Sequence, residues 1–213
     1  MSSIVIVDLG TGNLRSVSKA VEHVAPGREV LIGHAPEQIR RADRLVLPGQ
    51  GAIGTWMSQL ANEPLRAAVL DVLASRPVLG ICLGLQALYH HSEENGGTPG
   101  LNLLPGRVCR FPEGLTENGE RLKIPHMGWN TVRQTRPHPL WEGIPDDERF
   151  YFVHSYYADS GDPAVVAGEC AYGLTFTTAA ARENLFAVQF HPEKSQHAGL
   201  RLLENFVRWD GTL

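Results

Sequence analysis

The sequence predicts an α/β fold: a mostly parallel central sheet, helices on both faces of that sheet, and additional antiparallel strands. Two observations lead to this prediction. Through residues 4–91, short apolar runs alternate with amphipathic segments, as in parallel sheets covered by helices. From residue 96 onward, glycine, proline and polar residues divide the chain into shorter strand-like pieces, which are typical of antiparallel additions and loops.

The composition is ordinary for a globular protein. Of 213 residues, 43% are apolar and 20% are charged, with a formal net charge of −4. This charge does not predict binding to nucleic acid or to a membrane surface. No apolar run is long enough for a transmembrane helix, and the N-terminus lacks the pattern of a signal peptide. We therefore expect one domain over residues 1–213.

The three cysteines, Cys82, Cys109 and Cys170, are odd in number and widely spaced. This pattern favours neither a disulfide framework nor a zinc cluster, so we expect no metal site. It is typical of proteins in a reducing compartment, and we expect a cytoplasmic location. Cys109 and Cys170 lie in strand-like sequence, where small buried side chains are common.

The alternating part begins with a buried strand at Ile4–Asp8 and an amphipathic helix at Asn13–Val24. The elements predicted next are strands at Glu29–Ile32 and Arg44–Leu47, a helix at Glu63–Ala74, a strand at Val78–Ile81 and a helix at Leu83–His91. Together they form the units from which a parallel sheet is built.

The second part is predicted to be richer in strands. These are Arg107–Phe111, Thr131–Arg133, Phe150–Val153, Ala164–Gly168, Leu174–Thr177 and Phe186–Phe190. A helix at Gln196–Trp209 closes the chain, and Ser195 is its predicted N-cap.

The strand Val78–Ile81 runs directly into Cys82, which is flanked by Gly80 and Gly84. A strand, a tight turn with a nucleophile and a helix form the nucleophile elbow of many hydrolases, here with cysteine in place of serine. Glycines leave room around the turn, and the N-terminus of the helix favours a thiolate. The pattern predicts that Cys82 is a nucleophile.

A cysteine nucleophile needs a base, and nine histidines are available. We expect His90 and His91 to be solvated and His23, His34 and His138 to lie at the surface. His191 differs because it follows a strand and precedes Pro192, which favours an extended backbone. In an extended segment His191 and Glu193 point the same way, so Glu193 can orient the imidazole toward Cys82.

A third motif, Pro48-Gly49-Gln50-Gly51, also follows a predicted strand. Backbone N–H groups in a glycine-rich turn can stabilise an oxyanion. No lysine follows in P-loop spacing, and the segment 8–15 lacks the third glycine of a dinucleotide fingerprint. An oxyanion turn is therefore favoured over a phosphate-binding loop.

Taken together, the segments 48–51, 80–86 and 191–193 resemble the signatures of the class I (triad) glutamine amidotransferases, and the resemblance covers nearly the whole chain. It implies hydrolysis of L-glutamine to glutamate and ammonia by Cys82, His191 and Glu193, without a cofactor. The implied oxyanion and substrate contacts are Gly49, Gln50, Gly51, Leu83, Gln86, Ser155 and Tyr156. For Gln86, a capping or surface role is an equally open interpretation.

The segments 10–16, 125–130 and 150–157 are similar to one branch of this family, the glutaminase subunits of imidazole glycerol phosphate synthase in histidine biosynthesis. This resemblance implies a heterodimer in which ammonia passes to a cyclase subunit with a (β/α)8 barrel. The implied interface residues are Asn13, Met127, Trp129, Tyr151 and Lys194. Trp129 as a core anchor and Lys194 as a solvated charge remain open alternatives.

Another partner, such as that of pyridoxal phosphate synthase, is the alternative interpretation of the same signatures. Two positions depart from the resemblance: the family commonly has valine where this chain has Gln50, and tyrosine where it has Leu9. Because oxyanion donors are backbone groups, Gln50 is compatible with activity. The glycines around it lead to the hypothesis that the isolated chain is nearly inactive.

Overall fold

The structure of the chain, a computed structural model, describes residues 3–117 and 119–212. The helices in chain order are α1 (Leu14–Val24), α2 (Pro36–Arg41), α3 (Ile53–Leu60), α4 (Glu63–Leu73), α5 (Leu83–Gln86) and α6 (Gln196–Arg208). The strands are β1 (Ser3–Val7), β2 (Glu29–Gly33), β3 (Arg44–Gly49), β4 (Val78–Cys82), β5 (His91–Ser92), β6 (Thr98–Pro99), β7 (Gly106–Arg110), β8 (Thr116–Glu117), β9 (Glu120–Arg121), β10 (His126–Gln134), β11 (Glu148–His154), β12 (Tyr156–Ser160), β13 (Val166–Ala171), β14 (Thr175–Arg182) and β15 (Leu185–Val188).

The centre of the molecule is a parallel sheet in the order β2-β1-β3-β4-β15. Antiparallel pairing begins at β14, which lies beside β15, and continues through β12 to β7. The pair β10–β11 extends this sheet through β13, whereas β8 and β9 form a separate hairpin. The predicted α/β class, with a mostly parallel sheet and antiparallel additions, is confirmed.

The parallel strands are buried on both faces, as β1 illustrates. Ile4 and Ile6 point into one core cluster, and Val5 and Val7 point into the other. The first cluster packs against α1 and α6, and the second packs against α2, α3 and α4. Because helices cover both faces, the central strands can be continuous apolar runs.

Two helices of the alternating part, α1 and α4, begin and end close to their predicted bounds. The Asn13 side chain accepts a hydrogen bond from the Ser16 N–H, and Asn62 does the same for Leu65, so both asparagines cap a helix. Sequence analysis did not identify α2 or α3. Both are short, and neither has a side-chain cap to mark its start.

The helix predicted at Leu83–His91 is wrong in length, since α5 ends after one turn. The carbonyl oxygens of residues 87–90 accept hydrogen bonds from N–H groups of residues 100–104. These tertiary bonds replace the ones that a continuing helix would make. The dipole of so short a helix is correspondingly smaller than predicted.

Several strands of the second part also differ from prediction. The strand β10 is much longer than Thr131–Arg133, and the segment predicted at Ala164–Gly168 begins as a 3-10 turn at Pro163–Val165 before β13. Other 3-10 turns lie at Glu94–Gly96, Pro139–Trp141 and Pro192–Lys194. Within residues 3–117 and 119–212, no helix is both long and apolar enough to cross a membrane.

Ser195 does stand at the N-cap position of α6, but its side chain does not cap the helix. Its hydroxyl donates to the carbonyl oxygen of His191 at 2.6 Å and accepts from the N–H of Tyr151 at 3.0 Å. Ser195 therefore ties the segment after β15 to β11.

Candidate active site

Three neighbouring strands of the parallel sheet end at one edge and deliver the three predicted motifs there. Gly49 at the end of β3 lies in register with Cys82 at the end of β4, and Ile81 lies in register with Val188 of β15. The turn 48–51, the cysteine and the segment leading to His191 thus emerge side by side. The carboxyl ends of parallel strands are where α/β folds usually form their sites.

Cys82 occupies the turn between β4 and α5 with a backbone strained for a residue with a side chain. Its φ is 56° and its ψ is −105°. A Cβ on Gly84 would lie 1.8 Å from the carbonyl oxygen of Leu47, and one on Gly80 would lie 2.8 Å from the carbonyl oxygen of Gly84. The turn therefore requires both glycines, as the motif indicated.

His191 and Glu193 form a buried pair. The Nδ1 atom of His191 lies 2.8 Å from Oε1 of Glu193, and the two side chains are 2% and 1% exposed. The backbone of His191 is extended, as Pro192 predicted, but Glu193 lies in the 3-10 turn Pro192–Lys194. The two side chains thus meet across a turn and not along a strand.

The imidazole of His191 is held in its charged form. Burial opposes that form, but the Cys82 sulfur and the Glu193 carboxylate outweigh burial and raise the pKa of His191 to about 10. The Nε2 atom is buried and makes no hydrogen bond with good geometry to any described residue. The contribution of Cys82 to the raised pKa of His191 means that the two groups interact electrostatically. Because Nε2 has no hydrogen-bond partner among the described residues, it is available to a reacting molecule.

A cavity of about 410 Å³ opens above Cys82 and His191. Six of the predicted oxyanion and substrate residues line it, namely Gln50, Gly51, Leu83, Gln86, Ser155 and Tyr156. Gly49 does not line it, because it is buried at the end of β3 against Trp56 and Leu83. The remaining lining residues are Glu94, Pro125, Val153, His154 and Lys194.

The turn 48–51 is anchored at both ends and free in the middle. The Trp56 indole N–H donates to the carbonyl oxygen of Pro48 at 3.0 Å, and the Glu94 carboxylate accepts from the N–H of Ile53 at 2.9 Å. Within the described chain, the backbone N–H groups of Gln50 and Gly51 donate no hydrogen bond. These two groups are therefore available to an anion in the cavity.

Two buried glutamines are hydrogen-bonded to each other next to the cavity: Gln86, which lines it, and Gln189, which does not. The Gln86 side chain is buried, and its Nε2 donates to the carbonyl oxygen of Tyr156 at 3.0 Å and to Oε1 of Gln189 at 2.9 Å. The Nε2 of Gln189 lies 3.6 Å from the Cys82 sulfur. Sequence analysis did not identify Gln189. The available signal was one amide within the otherwise apolar run Phe186–Phe190.

The histidines were only partly predicted. His90 is exposed and His91 is half-buried, but the surface position predicted for His138 is wrong. His138 packs against Phe186 and Trp209, and burial lowers its pKa to about 4. Burial likewise lowers the pKa of His126 to about 4 and that of His154 to about 3.

The predicted interface residues lie at or near the surface. Met127 is 62% exposed and Trp129 is 38% exposed, and both stand on β10. The half-buried Tyr151 is the register partner of Trp129, and the Lys194 ammonium lies 5.8 Å from the centroid of the Tyr151 ring. We call Met127, Trp129, Tyr151 and Lys194 the docking face.

Asn13 is exposed and stands at the N-cap of α1. The preceding Gly12 abuts the free turn: a Cβ there would lie 3.7 Å from the backbone nitrogen of Gln50. The loop that carries Asn13 therefore contacts the turn 48–51 directly.

The other two cysteines are buried and unpaired. Burial raises the pKa of the Cys170 thiol to about 12 and also raises the pKa of Cys109, so neither is primed as a nucleophile. Among the described residues, no group of three His, Cys, Asp or Glu side chains is arranged to hold a metal ion.

Comparison with known proteins gives a consistent picture. Residues 5–209 match the family described as glutamine amidotransferase class-I. The imidazole glycerol phosphate synthase subunit HisH of Aromatoleum aromaticum is 56% identical over 98% of this chain and 99% of its own. The subunit of the same name from Nitrosospira multiformis is 55% identical over the same shares of both chains.

A solved structure supports the fold at much lower identity. The crystal structure of a glutamine amidotransferase superposes with a TM-score of 0.70 at 18% identity, covering 96% of this chain and 97% of its own.

Proposed function

The chain belongs to the class I glutamine amidotransferases, and from this we propose that Cys82, His191 and Glu193 form the triad by which it hydrolyses L-glutamine. The single observation that carries the proposal is the strained Cys82 turn beside the buried His191–Glu193 pair, under a cavity. Sulfur, imidazole and carboxylate stand in the order that nucleophilic catalysis requires.

In the first half-reaction, the Cys82 thiolate attacks the side-chain carbonyl carbon of glutamine. The carbon–nitrogen bond breaks, and the His191 imidazolium gives its Nε2 proton to the departing nitrogen, which leaves as ammonia. The raised pKa of His191 supports this role, since the imidazole holds a proton at neutral pH. A thioester on Cys82 remains.

In the second half-reaction, water attacks the thioester. His191, now neutral, accepts a proton from that water, the carbon–sulfur bond breaks, and glutamate leaves. Throughout, Glu193 holds the imidazole by its Nδ1–H and stabilises its charged form. The backbone N–H groups of Gln50, Gly51 and Leu83 are the oxyanion donors in this proposal.

We propose that the ammonia supplies a cyclase subunit in histidine biosynthesis. The relatives are named as a subunit of imidazole glycerol phosphate synthase, which supports a role within a synthase of more than one subunit. Those names favour this role over the alternative in pyridoxal phosphate synthesis. We propose that a (β/α)8 barrel sits on the docking face, because ammonia must reach its acceptor before it is lost to water. Exposed Met127 and Trp129 on one strand are typical of a protein interface.

Ile32 provides a control residue for substitutions in the docking face. Ile32 is 39% exposed on β2, at the opposite edge of the parallel sheet, and matches Trp129 in exposure. Trp129→Ala should weaken the complex with the cyclase subunit at least about tenfold, as expected for an aromatic anchor. Ile32→Ala should leave it unchanged, and equal effects of both variants would contradict this interface.

The function is tested by glutamate release from glutamine. We would measure the chain alone, with a cyclase subunit, and with that subunit and its ribonucleotide ligand. Low release alone and a large rise in the complete mixture are expected, and Cys82→Ala should abolish the rise. A high rate in the chain alone would contradict the hypothesis of an inactive isolated subunit.

A further inference from the structure

We infer that Gln189 is a positioning residue for Cys82, and that a series of buried and partly buried hydrogen bonds ties it to Asn130 on β10. This inference rests on the proposed role of Cys82 as nucleophile. It gives a structural role to four residues outside the triad: Gln189, Gln86, His154 and His126.

The amide orientations of both glutamines follow from a backbone atom. The Tyr156 carbonyl can only accept, so the Gln86 atom facing it at 3.0 Å must be Nε2. The second hydrogen of that Nε2 goes to Gln189, whose facing atom must then be Oε1. The Gln189 NH₂ group is thereby turned toward the Cys82 sulfur, at 3.6 Å.

The same carbonyl accepts a second bond, from Nδ1 of His154 at 2.8 Å. His154 therefore carries its proton on Nδ1 and accepts at Nε2, where Nδ1 of His126 lies at 3.0 Å. His126 in turn accepts at Nε2 from the Asn130 Nδ2, at 3.2 Å. Each donor thus determines the tautomer of the next ring.

Backbone atoms also determine the amide orientation of Asn130, at the other end of the series. Asn130 donates to the carbonyl oxygen of Ala171 at 3.0 Å and accepts from the N–H of Thr131 at 2.8 Å, so its amide has one orientation. Burial lowers the pKa of both histidines well below neutrality, and both rings are neutral at pH 7. A neutral pair with fixed tautomers can hold a neighbour in place without adding charge.

The chemical consequence lies at the sulfur. The Gln189 N–H reaches the Cys82 sulfur from a residue that does not line the cavity, so the sulfur remains accessible from the cavity. A hydrogen bond from this N–H also stabilises the thiolate over the thiol. Asn130 lies on the same strand as Met127 and Trp129, so the position of β10 bears on the nucleophile.

The test follows alkylation of Cys82 by iodoacetamide against pH, in the full chain, with the modified residue identified by mass spectrometry. Gln189→Met keeps the length of the side chain and removes the N–H. We expect the alkylation midpoint to move to higher pH by about one unit, so that the rate on the acid side of the midpoint falls about tenfold. Thr178→Val is the control, because the Thr178 hydroxyl is buried and has no described partner.

A second variant changes Asn130, at the end of the hydrogen-bonded series opposite to Gln189. Asn130→Asp keeps the shape but presents an acceptor to His126, which reverses the donor order or forces a charge onto the pair. We expect the rate of alkylation on the acid side of the midpoint to fall at least about threefold. Thr131→Val, at the next position and exposed, should alkylate like the unaltered chain.

Unchanged alkylation in a folded Gln189→Met chain would overturn the inference. If that chain does not fold, the Asn130→Asp result decides: a slower rate supports the inference, and an unchanged rate overturns it. Because alkylation needs no glutamine, a loss of the proposed glutaminase function alone would be seen separately.

Discussion

The two loops that meet over the cavity are built in opposite ways. Around Cys82 the chain is packed so closely that a methyl group on Gly84 would lie 1.8 Å from a backbone oxygen. In the turn 48–51, a methyl group on Gly51 would meet no described atom within 4 Å. The nucleophile is held in one position, whereas the turn has room to change its conformation. The contrast predicts that substitutions in the two loops will have different effects on stability and on activity.

The largest effect should come from filling the packed loop. Gly84→Ala places a Cβ against the Leu47 carbonyl, and neither backbone can move without disturbing the central sheet. We expect the free energy of unfolding to fall by more than about 3 kcal/mol, measured by urea denaturation. A loss below about 1 kcal/mol would show that the packed loop is more adaptable than described.

The second largest effect should come from replacing Glu193, which is paired with His191. Glu193→Gln removes the carboxylate that orients His191 and helps to raise its pKa. We expect kcat/KM for glutamine in the complete synthase to fall about 10²- to 10⁴-fold. The pH dependence should reveal the cause, because the His191 pKa falls when its partner loses charge, and the protonated imidazolium is then lost at a lower pH. An unchanged pH profile would contradict this explanation.

A third prediction concerns the pH dependence of the free energy of unfolding, to which the buried histidines contribute. Because the folded chain lowers the pKa of His126, His138 and His154, the unfolded chain binds more protons below about pH 6.5. The contribution of these three histidines to stability is therefore complete above that pH and declines as the pH falls toward 4, by at most about 1.4 kcal/mol per pH unit for each histidine.

Urea denaturation between pH 7 and pH 5 measures this slope. His90→Gln is the control, since His90 is exposed and its replacement should leave the slope unchanged. A flat profile over this range would mean that the three buried rings are not neutral as described.

The smallest effect should come from the open turn. Gly51 has a φ of 90°, which an alanine adopts at a cost of about 1 kcal/mol, so Gly51→Ala should fold with slightly reduced stability. Glutaminase activity should fall more than stability does, because the strained turn has fewer conformations available.

Gly27→Ala is its matched control. Gly27 also has a positive φ, 79°, and open space around it, but lies outside the cavity. It should lose the same stability and keep its activity. Equal losses of activity in both variants would mean that the open turn has no special part in catalysis.

Sequence patterns predicted the packed region better than the rest. The apolar run before Cys82, the two glycines and the proline after His191 act locally, so the strand, the turn and the extended backbone of His191 followed from residue types. The pairing of His191 with Glu193 was predicted, but it is made across a 3-10 turn and not along an extended segment. The end of α5 did not, because hydrogen bonds from residues 100–104 stop it. Such bonds depend on a distant segment that no local pattern reports.

The polar groups next to the cavity were missed for the same physical reason. Gln189 looks like an irregularity in an apolar strand until β4 and β15 are paired, when its amide faces the Cys82 sulfur. His138 was misplaced because its loop sequence is polar, although Phe186 and Trp209 enclose the ring. The family resemblance supplied the names of cavity residues, but not Glu94 or Gln189.

The adjacency of β4 and β15 has a consequence for the order in which the molecule is made. Cys82 emerges from the ribosome long before His191, and the strand that carries the base has to insert between β4 and β14, which are already synthesised. A nascent or truncated chain that ends before Leu185 carries the nucleophile without its base. Under the proposed mechanism such a chain has no proton donor for the departing ammonia, so we expect it not to hydrolyse glutamine.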